Sequence, residues 1–156
     1  IGHLDRIGMV DRVIVVDVGY PHPLVRENKV VDPLSGRLTT FGEQIYLLPD
    51  QAPSLHGLKI LRAGLHLGQL SGKRFIPGHA LALSLRPEQV INYVNLDASD
   101  PLQLQTAIRF ISGETFPYEG KNGWYLICID GYSLGWGKLA GSIMKNHYPK
   151  GLRKYL

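Results

Sequence analysis

The run Trp124-Tyr125-Leu126-Ile127-Cys128-Ile129 constrains the fold more than any other stretch of the chain. It is apolar at every position, so a strand built from it needs burial on both faces and belongs inside a sheet. Asn122-Gly123 and Asp130-Gly131 bracket it, and both dipeptides favour tight hairpin turns in which glycine takes a positive φ. The expectation is a central strand, followed by a hairpin that carries the C-terminal residues from the core to the surface. At six residues this longest apolar run is far short of the ~20 a membrane helix needs. With no secretory or transit pattern in the opening residues, a cytoplasmic protein with no membrane partner is expected. A single cysteine excludes an internal disulfide and suits a reducing compartment.

Upstream, the β-branched run Arg12 to Val18 reads as a strand, and Pro21, Pro23, Pro33 and Gly36 punctuate an irregular stretch after it. Gln44 to Leu48 and Leu58 to Leu61 read as strands, the second continuing through Arg62 to Gly68 with glycines that mark bulges or close backbone approach. Gly78 to Leu85 favours a short helix through its alanine and leucine content. A soft boundary falls near Leu85 to Glu88, and Val90 to Leu96 alternates as a strand does. Asp100-Pro101 opens the clearest helix, with Asp100 as N-cap, Pro101 in the first turn and Gln103 completing a capping box. Leu104, Ala107, Ile108 and Ile111 form its apolar stripe, and Gly113 stops it.

Charge is segregated. From Gly131 to Leu156 there is no acid, while Lys138, Lys145, Lys150, Arg153 and Lys154 are interleaved with Trp136, His147, Tyr148 and Tyr155. A second acid-free block, Gln51 to Pro87, carries Lys59, Arg62, Lys73, Arg74 and Arg86. Clustered cations steer polyanions, and flat rings give unpaired bases a stacking surface. A nucleic-acid partner is therefore expected, with a merely solvated basic tail as the plainer alternative.

Catalytic and metal signatures are lacking. Cys128 has no neighbouring base and reads as a core thiol. His56, His66 and His79 have no carboxylate or cysteine at ligand spacing, so no metal site is expected. Gly131 to Lys138 contains G-x-x-x-G-x-G-K, but neither Ser nor Thr follows Lys138 and no helix starts there, so it is not a phosphate loop. Trp124 reads as core and Trp136 as a candidate ligand contact.

The pattern Gly123-Trp124, Leu134-Gly135-Trp136-Gly137-Lys138 and Lys145-Asn146-His147-Tyr148-Pro149-Lys150-Gly151-Leu152-Arg153 resembles the C-terminal signature of the Sun/Fmu-type, RsmF-like RNA 5-methylcytosine methyltransferases. Tyr46 to Pro49, Gly57 to Leu65, Arg74 to Pro77 and His79 to Ala82 resemble the domain that precedes it in the same enzymes. This resemblance implies a connecting module followed by a PUA-like β-barrel that engages RNA. It also implies a catalytic S-adenosylmethionine domain with two cysteines, which this chain, with one cysteine, does not supply. No cofactor is expected in these residues. Because the numbered chain opens on Ile1 and not on methionine, an excised or processed piece is expected.

The resulting expectation is an α+β chain of two small modules, residues 1–85 and 86–156, the second a PUA-like barrel with a packed helix. Its partners would be structured RNA, an rRNA or a tRNA, and an N-terminal methyltransferase domain. Lys138, Lys145, Lys150 and Arg153 would contact phosphates, with Trp136, Asn146, His147 and Tyr148 stacking or reading shape. Arg62, Lys73 and Arg74 would extend the track if the two basic faces adjoin. One rival is a module docking on a ribosomal protein or on the catalytic domain, and a second is a small autonomous enzyme.

Overall fold

A computed structural model describes residues 36–72 and 74–155. The strand expected at Arg12 to Val18, the irregular stretch after it, and Lys73 lie outside the described residues. Two compact units divide between Leu81 and Ala82. Among the described residues no helix is long and apolar enough to cross a membrane.

The first unit is a four-stranded antiparallel meander of β1 (Arg37–Phe41), β2 (Gln44–Leu48), β3 (Leu65–Ser71) and β4 (Arg74–Pro77), followed by helix α1 (His79–Ser84). Strand β2 has the expected bounds, and Ile45, Leu47 and Leu48 bury its apolar side chains. A register shift lies at Ile45/Tyr46, opposite Gly68 and His66. Gly68, at φ +151, allows close approach there: a Cβ would strike the Ile76 carbonyl oxygen and the Phe75 ring. No strand forms over Leu58 to Leu61, contrary to expectation, and β3 begins only at Leu65. Leu61 is 92% exposed, and Gly57 and Gly64 take φ of +76 and +68 on either side, which breaks the extended path a strand requires.

In the second unit a five-stranded sheet runs in the order β5 (Tyr93–Leu96), β7 (Gly123–Ile129), β8 (Tyr132–Ala140), β9 (Ile143–Asn146), β6 (Phe116–Pro117). Together with helix α2 (Pro101–Ile111), this makes an α+β fold with an open edge at β5 and at β6. Strand β7 is interior as expected, parallel to β5 and antiparallel to β8. The β7–β8 turn is Asp130-Gly131, with φ of +47 and +81, the primed geometry that matches strand twist. Asn122-Gly123 is not a hairpin. It leads into β7, and the Asn122 side chain accepts from Gly141 N–H in the β8–β9 turn. Strand β5 is shorter than the alternating run suggested, because Val90 to Asn92 bend before the strand begins.

Helix α2 lies on one face over Val94, Leu96, Tyr125, Ile127, Leu139 and Met144. Its buried residues are Ala107 and Phe110, whereas Leu104 and Ile108 are exposed. The stripe is thus turned toward Phe110, whose ring fills the centre of the core. Asp100 accepts from Leu102 N–H at 2.9 Å as N-cap. Gln103 does not close a capping box: it donates to Asp100 and accepts from Asp97 N–H. At the other end Gly113 N–H bonds the Phe110 carbonyl and Glu114 N–H the Arg109 carbonyl, a Schellman stop with Gly113 at φ +99.

Asp100→Ala should lower stability by about 1 kcal/mol, the usual loss of an N-cap acceptor. Urea unfolding followed by far-UV circular dichroism checks this, with an unchanged m-value expected.

Candidate nucleic-acid interface

A cross-strand row defines the site. Trp124 on β7 stands opposite Lys138 on β8, which stands opposite Lys145 on β9. Directly opposed residues share a sheet face, so all three project from the face opposite α2. His147, two residues past Lys145, continues the row, and its N–H donates to the Trp136 carbonyl at 3.1 Å. The Lys138 ammonium lies 5.3 Å from the Trp124 ring centroid, within cation–π range. The His147 ring meets the same indole edge-on, with centroids 4.5 Å apart. Although His147 is exposed as a residue, that contact shields one side of its imidazole. Its pKa is lowered from 6.5 by this burial first, then by the charges of Lys138 and Lys145. The imidazole is therefore neutral at physiological pH.

Lys138 and Lys145 are like charges placed side by side. Among the described residues the acid in ion-pair contact is Glu114, 3.4 Å from Arg109, and no carboxylate pairs with either lysine. Lys150 and Lys154 are exposed at and beyond the 3-10 turn Lys150–Leu152. The C-terminal run thus presents lysines that no carboxylate pairs among the described residues.

Four of the residues expected to touch ligand do architectural work. Trp136 is 1% exposed and offers no ring face for stacking. A register shift at Ile127/Cys128 leaves Leu134 as an extra residue on β8 and puts Trp136 opposite Leu126. Asn146 donates to the Phe110 carbonyl at 2.7 Å and the Glu114 carbonyl at 2.8 Å, and accepts from Tyr148 N–H at 2.8 Å. Tyr148 sets its ring edge-on to Phe110 at 5.9 Å. Arg153 donates to the Tyr148 carbonyl, and its guanidinium covers Gly113, where a Cβ would come within 2.6 Å of Nε. A cation at this position also complements the negative end of α2. Arg62 and Arg74 are exposed in the first unit, in the β2–β3 connection and on edge strand β4. Trp124 is buried at 8% exposure, as its core reading expected, and is at the same time the aromatic member of the row; counting straight back from the Asp130-Gly131 turn would pair it with Gly137.

Cys128 is fully buried, and burial pushes its thiol up to about 11, so it is not a nucleophile at neutral pH. His66 is held by Gln44 at 2.7 Å and packs on Tyr46. Among the described residues no group of three metal-ligating side chains forms. An open groove in the first unit, lined by Leu47 to Gln51, Gly64 and Leu65, contains one titratable side chain, Asp50. Among the described residues that line it there is no second titratable group, so it lacks the convergent pair that acid–base catalysis requires.

Residues 25–85 match the model of the RsmF rRNA methyltransferase first C-terminal domain, and residues 101–154 match that of the methyltransferase RsmF PUA domain. The chain belongs to the RsmF-like methyltransferases. It corresponds to their C-terminal region, and the cation row on β7, β8 and β9 falls inside the PUA-domain match. Both matched domains are non-catalytic parts of an RNA methyltransferase.

Asn146→Ala should cost about 1 to 3 kcal/mol, since two carbonyls at the end of α2 lose their shared donor. Lys145→Ala, on the same strand, should stay within about 0.5 kcal/mol of wild type. Chemical denaturation of the pair separates anchor from contact. Stability should also fall as pH drops below about 6.5, because the unfolded chain accepts a proton that His147 resists in the fold. Thermal melts between pH 7.5 and 5 should show less of this loss in His147→Gln.

Proposed function

We propose that this chain binds structured RNA and positions it for cytosine C5 methylation by a catalytic domain that carries S-adenosylmethionine. Residues 1–85 act as the connecting module and 86–156 as the RNA-binding PUA-type domain. The substrate is an rRNA, or a tRNA, which places the protein in cytoplasmic ribosome biogenesis or RNA processing. One observation carries this reading: Lys138, Lys145, Lys150 and Lys154 lie in an acid-free segment inside the PUA-domain match and have no carboxylate partner among the described residues. Cations left unpaired on the protein are available to replace the counterions of a polyanion.

A second reading has support in α2, where Leu104 and Ile108, one turn apart, form an exposed apolar flank. Such a face suits a protein partner, a ribosomal protein or the catalytic domain itself. Salt separates the two, because apolar docking has little counterion release.

The test measures fluorescence anisotropy of rRNA and tRNA fragments with the wild-type chain across a salt series. Log K should fall linearly with log salt, and Lys138→Ala/Lys145→Ala/Lys150→Ala should reduce the slope by about 2 if three single-strand phosphate contacts are lost. Equal affinity and slope in the two proteins would remove the RNA reading and direct attention to the α2 face.

A further inference from the structure

Two nitrogen-bearing side chains converge on one indole, and a third stands beside them. Lys138 and His147 both contact Trp124, from β8 and from the end of β9, and Lys145 stands directly across from Lys138. Opposed lysines on neighbouring strands repel, and among the described residues no carboxylate pairs with either. Among the described residues, the aromatic and charged groups that act on His147 are Trp124 from β7, Lys138 from β8 and Lys145 from β9. In this setting a proton on the imidazole is disfavoured by two positive charges. An anion seated among the three would reverse that balance, since a phosphate oxygen accepts from each ammonium and from a protonated ring nitrogen.

We propose that Lys138, Lys145 and His147 form one subsite for a single phosphate group of the RNA, in which His147 takes up a proton as the phosphate binds. Trp124 is the positioning residue, holding the Lys138 ammonium and the His147 ring at fixed distances. The inference rests on the RNA-binding reading and adds to it a specific proton linkage. Any phosphodiester suffices, so the subsite fixes the register of the backbone and reads no base. Acidification from pH 7.5 to 5.5 should strengthen RNA binding by this chain by about 3- to 10-fold, within the ~100-fold ceiling that one linked proton sets over two pH units.

RNA affinity measured from pH 5.5 to 7.5 on the full chain and on His147→Gln tests the linkage at constant ionic strength. Glutamine keeps a polar side chain without a titrating one, so the variant should bind with a pH dependence that is nearly flat. Equal pH dependence in the two proteins overturns the subsite while leaving the salt-dependent RNA binding intact. NMR titration of the His147 ring gives a second reading. Its pKa should rise when inorganic tripolyphosphate is added, and it should move back toward 6.5 in free Lys138→Ala/Lys145→Ala. A His147 titration that tripolyphosphate leaves unchanged overturns the subsite even if no RNA fragment binds, an outcome that would separately end the RNA reading.

Discussion

Burial of β7 on both faces is the constraint on which the second unit depends. A strand that is apolar at every interior position must be flanked by two strands and covered on each side. Pairing with β5 and β8 satisfies its backbone. On one side α2 supplies the cover, through Ala107 and Phe110. With that face closed, the charged ends of β8 and β9 project from the other, and the row from Trp124 to Lys145 follows.

Within the C-terminal run, chemistry that reads as uniform in sequence divides into display and anchorage. Alternation along β8 and β9 sends Lys138, Lys145 and His147 one way and Gly137 and Asn146 the other. Asn146 donates to the Phe110 carbonyl in the last turn of α2, Tyr148 packs its ring on Phe110, and Arg153 covers Gly113 just past the helix. The residues that hold the segment in place are as polar as those it presents. Only their partners tell them apart.

Much of this fold was legible where local chemistry and tertiary context agree. Strand β2, the N-cap at Asp100, the stop at Gly113 and the Asp130-Gly131 turn are fixed by nearby residues, and each stands where the sequence placed it. Leu58 to Leu61 misled because apolar content signals burial only when something covers it, and Leu61 is left in solvent. Asn122-Gly123 has turn chemistry, yet its partner is the distant Gly141, which no local rule detects. Most consequential was the extra residue at Leu134. Side chains alternate with a period of two, so one added residue exchanges the faces of everything beyond it on β8. Trp136 thereby shares the face of Leu126, where it is buried, and Lys138 becomes the neighbour of Trp124.

The pairing pattern also sets an order of assembly. Strands β7, β8 and β9 are joined by two-residue turns, whereas β5 reaches β7 only after α2 and a further connection have been traversed. Contacts close in sequence cost less loop entropy to form than distant ones. The hairpins that align Trp124, Lys138 and Lys145 therefore belong to the fast, local part of folding, and the parallel β5–β7 ladder to the slow part. A nascent chain would acquire its cationic row before its sheet is complete, and a polyanion meeting it then would find that row already in register.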